Sequence, residues 1–369
     1  MTKAAELAKI GEVLTNSQIG GRRNIIINGA MQVAQRATSA TGLGDSDTYA
    51  VCDRWKLVKE ATTAGRLTMS QDSSAPSGFG NSLKLDCTTA DTSIAAGEVL
   101  LLQQRIEGQN LQAFAKGTSD AKEFSVSFYV KGNASATYVC ELHDQDNSRQ
   151  CSKTFNVTTS WTRIELLFPA DTTGAFDDDN ARSLNLNIAL NAGSDYTSGT
   201  LNSSAFASNT NANRYVGISS FFDSTDRTFF ITGVQLEVGS QATPFEHRSY
   251  GEEIQLCYRY YYQMKAATSF MKIGHGRAYS TTDTTATYSV PVPMRANPTG
   301  SVSAASDVGT AGLSAGGTTS ANPAAETMDD YSRFAINVTR GGGGYSAGTI
   351  YQIESDNNTN MTIKLDAEL

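Results

Sequence analysis

The sequence predicts an all-β fold: a jelly-roll β-sandwich followed by a smaller C-terminal β-sandwich domain, with one short helix at the N-terminus. Three observations carry this. Apolar residues recur with a period of two along most of the chain. Clusters of Gly, Asn, Asp and Ser punctuate those stretches. Nothing between them has the helical period that a parallel sheet would need for its crossovers.

Residues 3–14 form the helical stretch, with Leu7, Ile10 and Leu14 at i, i+3 and i+7. Two turns of such a seam are too short to stand alone, so the helix needs copies of itself, a partner or the body of the subunit. Gly20-Gly21 breaks the chain, and residues 25–27 read as a short strand. From residue 46 the two-residue period takes over, starting at 55–58 and continuing through SLKLDC (82–87). Residues 99–104 are an apolar run suited to a strand buried on both sides. FSVSFYV (124–130) places Phe124, Val126, Phe128 and Val130 on one face. Further strands are expected at 137–142, 153–157, 161–168, 184–190 and 228–238, with turns at 131–133 and 144–147. In ITGVQLEVG the phase breaks once, which predicts a bulge. Trp161 is assigned to the sandwich core, and Phe245 to a plug beneath it.

A second block begins near residue 250. EEIQLCYRYYY (252–262) fits one helical turn followed by a strand. Residues 286–292 read as a strand limited by Pro291 and Pro293. The Ser/Ala/Gly/Thr-rich stretch 300–325 reads as a long surface loop. Strands follow at 333–339, 349–353 and 361–365. The expected division is therefore 1–45 for the helix and arm, 46–248 for the jelly roll and 249–369 for the C-terminal β-domain.

Of the 369 residues, 39% are hydrophobic and 18% charged, which implies a thin core and favours subunit association. A net charge of −8 gives no footprint for nucleic acid. The start is locally basic: Lys3, Lys9, Arg22, Arg23 and Arg36 outnumber Glu6 and Glu12, as in a solvated arm or a peg for an acidic partner surface. Cys52, Cys87, Cys140, Cys151 and Cys257 share no CxxC spacing and read as reduced thiols. Cys140 and Cys151 flank a hairpin, where a bridge stays open. The start lacks the apolar stretch of a secretory signal, and no run is long enough to span a bilayer.

Candidates for chemistry are few. His143 sits beside Asp144 and Asp146 in ELHDQDN, read as a hairpin tip, either a polar turn or a weak binding or acid–base site. His247 falls in the connector between blocks, and His275 between two glycines in a loop. No HExxH, GxSxG or phosphate-loop motif occurs. Asp177, Asp178 and Asp179 form one acidic run, either a solvated loop or a calcium site. Glycan hydrolysis needs two opposed carboxylates, and this run does not supply them. No cofactor is implied. Sugar binding would use aromatic faces with amides and carboxylates. Tyr345 in GGGGYSAG is a candidate at a loop tip, whereas Tyr258, Tyr260, Tyr261 and Tyr262 read as packing or interface residues.

Several segments carry a family likeness. NIIINGAMQVAQRAT (24–38), followed by Asp53-Arg54-Trp55, resembles the start of bacteriophage tail-fibre and virion structural proteins, including those of cyanophages. LLQQRIEG (101–108) and FSVSFYVKG (124–132) resemble their jelly-roll core, which is similar to carbohydrate-binding modules. ITGVQLEVGSQATPFEHRSYGEEIQLCYRYYY (231–262) is the most specific match. The likeness covers roughly residues 5–262 and fades over 263–350. It implies a non-enzymatic homotrimer in the virion tail, assembled in the host cytoplasm. Leu7, Ile10, Leu14, Arg22 and Arg23 would then serve attachment to other tail or neck proteins. The C-terminal domain would face a host glycan or lipopolysaccharide, without membrane insertion. A capsid-decoration, neck or baseplate protein is the alternative; a polysaccharide-degrading enzyme is a further one.

Overall fold

The computed structural model describes Lys3 and residues 23–369 apart from 62, 311–317, 326–330, 341–342 and 358. Leu7, Ile10, Leu14 and Arg22, with the helix they define, lie outside the described residues. The chain divides into two compact units, Met1–Glu253 with Leu369, and Ile254–Glu368.

Among the described residues, the first unit is a twelve-stranded antiparallel sandwich. Its strands are β1 (Ser39–Leu43), β2 (Lys56–Glu60), β3 (Arg66–Asp72), β4 (Ser82–Thr89), β5 (Val99–Glu107), β6 (Phe124–Gly132), β7 (Ala136–Asp144), β8 (Arg149–Val157), β9 (Thr162–Phe168), β10 (Arg182–Ala192), β11 (Ala207–Ser208) and β12 (Thr228–Val238). One sheet has the order β1-β3-β4-β12-β6-β9, the other β11-β8-β7-β10-β5-β2. From β4 to β7 each successive strand changes sheet, which makes the sandwich a jelly roll rather than a meander. The alternation works as expected: Phe124, Val126, Phe128 and Val130 face Leu184, Leu186, Ile188, Cys140 and Leu142 across one core. Between Thr232 and Gln235 the β12–β6 register shifts, and Gly233 there has φ +62°, the left-handed value of a bulge.

Residues 24–43, assigned above to an attachment arm, are built into this unit. Ile25 N–H donates to Leu236 O and Val234 N–H to Gly29 O, each at 3.0 Å. Asn24 accepts from Ile26 N–H and Leu236 N–H and donates to Val234 O. Asn28 O accepts Trp55 Nε1–H, and Asn28 Nδ2 donates to Val33 O and Asp53 O. The segments NIIING, DRW and ITGVQLEVG thus form one joint. A Cβ at Gly29 would stand 2.1 Å from Val234 O, so only glycine fits.

All five cysteines are free and buried. Burial, opposed by a Thr89 hydrogen bond, pushes the Cys87 thiol up to about 11; burial, opposed by Lys153, does the same to Cys151. Cys52 and Cys140 are raised further by burial. A thiol reagent at pH 8 is therefore expected to titrate none of the five promptly in the folded protein and all five in denaturant. A fast-reacting thiol under native conditions would contradict this packing.

The helix Tyr250–Tyr258 opens on a capping box, with Ser249 N–H donating to Glu252 Oε2 at 2.9 Å and Glu252 N–H to Ser249 Oγ at 3.3 Å. The second unit contains β13 (Tyr261–Lys265), β14 (Lys272–Ala278), β15 (Asp283–Ser289), β16 (Thr299–Val302), β17 (Val308–Thr310), β18 (Thr318–Ala325), β19 (Arg333–Arg340), β20 (Ile350–Ser355) and β21 (Thr362–Asp366). A sheet β13-β21-β16 and a sheet β17-β20-β14-β15-β19-β18 enclose a core of Val308, Phe334, Ile336, Val338, Ile353, Ile363 and Leu365. This is the smaller β-sandwich. The stretch 300–325 contains β16, β17 and β18 instead of a continuous loop. β18 is an edge strand whose backbone pairs with β19, so it needs no apolar alternation and tolerates Pro323. His275 lies exposed in β14, not in a loop.

Candidate functional site

Alternation that sends four apolar residues of β6 inward sends Ser125, Ser127, Tyr129 and Lys131 outward. Cross-strand register then composes the outer face of the first sheet. Ser70 pairs with Lys84, Lys84 with Phe230 and Phe230 with Lys131, forming a row across four strands. The next row pairs Thr232, Tyr129 and Arg163. Trp161, just before β9, adds its ring 6.1 Å from Phe230, edge to face. It is half-buried on this outer side, and so is Phe230; the expectation that Trp161 belongs to the core is corrected.

The 73–81 loop folds Phe79 onto the same face. Its ring lies 5.4 Å from Tyr129, 5.1 Å from Phe245 and 5.1 Å from His247. Phe245 is therefore no plug beneath the sandwich: Phe79 and His247 hold it half-buried outside. Gly233 makes this possible, since a Cβ there would meet Phe79 at 2.7 Å and Tyr129 at 3.0 Å. Thr232 Oγ1 donates to Asn81 O at 2.7 Å and pins the loop. Beyond Tyr129 the face continues into a cavity of about 330 Å³ lined by Ser125, Glu165, Leu166, Leu167, Ser240, Gln241 and Ala242. From Trp161 to Leu167 the strand rise gives about 20 Å of surface, aromatic at one end and polar at the other.

Lys131 Nζ sits 4.6 Å from the Phe230 ring centre and 5.3 Å from that of Trp161, within cation–π range, and donates to Ser74 Oγ at 2.8 Å. Lys84 lies 5.7 Å from the Phe230 ring and pairs with Asp86 at 3.1 Å. Arg163 pairs with Glu165 at 2.6 Å.

The residues singled out from the sequence lie elsewhere and are not brought together. His143 and Asp144 are consecutive residues of β7, not a hairpin tip, and so point to opposite faces. His143 faces outward between Asn185 and Gln150. Burial, partly opposed by Glu141, holds its pKa below the ordinary value, so the ring is neutral near pH 7.

Asp144 belongs to a buried ionic cluster. Lys116 Nζ, fully buried, lies 2.6 Å from Asp144 Oδ2, 3.1 Å from Asp171 Oδ2, 2.8 Å from Thr173 O and 2.6 Å from Gly174 O. Arg149 pairs with Asp171 through two nitrogens at 2.8 and 2.9 Å. Two cations and two carboxylates cancel, and the arrangement ties the β9–β10 loop to the β7–β8 hairpin.

On the outer face of the second sheet, Arg214 donates to both Glu141 oxygens at 2.8 Å. Asn187 Nδ2 at 2.7 Å and Tyr215 Oη at 3.0 Å add to Glu141 Oε2. These groups fix the long β10–β12 connection over Val58, Leu101, Val139 and Ala189. Asp177, Asp178 and Asp179 stand exposed on a loop, and no group of three or more acidic, His or Cys side chains is placed to hold a metal among the described residues. Tyr345 is buried, not at an exposed tip: its ring packs 4.9 Å from Tyr351. Tyr260 and Tyr261 are buried, and Tyr262 packs on Phe334. Arg23 is half-buried.

No family model matches the chain, and no curated protein matches it significantly. Solved structures do resemble it. The enzymatically active domain of tailspike protein 4 from bacteriophage CBA120 shares 12% identity over 58% of this chain, with a TM-score of 0.30. The match spans only 21% of that tailspike chain. The family 11 carbohydrate-binding module of the Clostridium thermocellum cellulase Lic26A-Cel5E shares 13% identity, covering 57% of this chain and 99% of the module, with a TM-score of 0.27. A putative sugar binding protein from Bacteroides thetaiotaomicron shares 11% identity, covering 59% of this chain and all of that one, with a TM-score of 0.32. At that level of superposition these likenesses bear on neither ligand nor activity.

Proposed function

We propose that the chain is a bacteriophage virion structural protein, a homotrimeric tail-fibre or adhesin subunit, that binds a host-surface glycan without cleaving it. The observation that carries the ligand is the strip of half-buried rings on the outer face of the first sheet: Trp161, Phe230, Tyr129, Phe79 and Phe245. A pyranose has an apolar C–H face and a rim of hydroxyls, and it is held by ring faces flanked by hydrogen-bonding groups. Arg163, Lys84, Lys131 and the neighbouring polar cavity supply those groups. This moves recognition from the C-terminal domain, where the resemblance placed it, to the jelly roll. The virion role is supported by the resemblance of the segments at 24–38, 53–55 and 231–262; within the first unit, residues 24–29, 53–55 and 231–238 lock together in one joint.

Labelled full-length protein is expected to bind host cells or their surface polysaccharide. The double variant Trp161→Ala, Phe230→Ala is expected to lose about tenfold or more in affinity while keeping its melting temperature within a few degrees. A mass of three chains in solution is expected. A stable monomer, or release of new reducing ends from the polysaccharide, would overturn the corresponding half of the proposal.

A further inference from the structure

Resting on that reading, we infer that the glycan is anionic: a pyranose bearing a carboxylate or another acid group, which meets Lys131 while its C–H face covers Phe230 and Trp161. The chain as a whole carries a net charge of −8, so an ammonium on this face with no carboxylate partner is informative. Around Phe230 there are two ammonium groups, Lys84 and Lys131, and one paired carboxylate, Asp86. Lys131 donates to the neutral Ser74 Oγ, and no carboxylate pairs with it among the described residues. Asp72 lies on the same outer face and keeps its charge, but its Oδ1 accepts the Ser74 N–H at 2.7 Å and it makes no ion pair with Lys131.

The position of Lys131 matters as much as its charge. Its ammonium is held between two rings at 4.6 and 5.3 Å, at the edge of the surface on which a sugar ring would lie. A neutral sugar stacked there would desolvate the ammonium and return only a hydroxyl. An acidic sugar returns a charge-assisted hydrogen bond, roughly twice as strong as a neutral one. The site thus discriminates by leaving Lys131 poorly paired with the wrong ligand.

The test compares binding of the full chain to three length-matched oligosaccharides: oligogalacturonate, sulfated oligogalactan and neutral oligogalactan. The wild type is expected to prefer at least one acidic ligand by about fivefold or more, and the preference should shrink as salt rises. The arm that binds identifies the acid as carboxylate or sulfate. Lys131→Met should abolish the preference, and Lys131→Arg should restore it. Equal affinity for neutral and acidic ligands, or a preference that survives Lys131→Met, would overturn the inference while leaving glycan binding in place. Binding of none of the three, together with no binding to host polysaccharide, would overturn the glycan reading itself.

Discussion

Replacing Lys116 by methionine is expected to destabilise the first unit by about 3–5 kcal/mol, read as a fall in the denaturation midpoint. The side chain is fully buried, and its ammonium lies within 3.1 Å of two carboxylate and two carbonyl oxygens. Methionine fills a similar volume but leaves Asp144 with only the neutral Asn147 donors and the carbonyls of Thr173 and Gly174 without the ammonium. Arg149 still neutralises Asp171, so the uncompensated charge falls on Asp144. The double variant Lys116→Met, Asp144→Asn is therefore expected to be less damaged than Lys116→Met alone, although it carries one more substitution. Additive losses would mean that the charge imbalance is not the cause. Because four oxygens already converge on one point, added calcium is expected to recover part of the stability of Lys116→Ala and none of that of the wild type.

Arg214→Met is expected to cost a similar amount, about 3–5 kcal/mol, for a different structural reason. Glu141 is wholly buried in the second sheet and takes Arg214, Asn187 and Tyr215 as donors. Without the guanidinium, a buried carboxylate faces a tyrosine and an amide only. The local result should be release of the connection between β10 and β12, seen as protease cleavage within residues 199–217 while the sandwich stays folded. Uniform resistance to protease would refute that account.

The pH dependence has a definite sign. Burial would raise the Glu141 pKa, but Arg214 and the hydrogen bonds overcome it and hold the carboxyl below its ordinary 4.5. Asp171 is held low against burial by Arg149 and Lys116, and Asp91 against burial by backbone N–H groups. A depressed folded pKa gives stability that is present above the unfolded value and lost as pH falls through the folded one. The wild type should therefore lose stability steeply below about pH 4.5. Arg214→Met should flatten that limb, because Glu141 then gains less from being ionised.

In the joint of residues 24–29, 53–55 and 231–238, three segments far apart in sequence meet. Asn24, Asn28, Gly29 and Trp55 are bound by specific hydrogen bonds and a close backbone approach, so their identities are tightly constrained and recognisable. The aromatic strip had no such signature. Trp161, Phe230 and Phe79 lie in three separate segments of the sequence, and a half-buried outer ring looks like a core ring when read one strand at a time. The outward phase of FSVSFYVKG, with Tyr129 and Lys131 opposite the core residues, was the available signal. Likewise Tyr345 looked exposed because glycines surround it, yet its ring packs on Tyr351 of β20.

What the sequence by itself determined was the all-β class, the inward face of strands such as FSVSFYV and the bulge in ITGVQLEVG. These follow from the two-residue period and from backbone geometry, which are local. Tertiary structure alone decided which outward residues become neighbours, because register across β4, β12, β6 and β9 aligns side chains as far apart in sequence as Lys84 and Phe230. It also decided that Lys116 meets Asp144 and Asp171 out of water, since burial of a charge depends on every loop that closes over it.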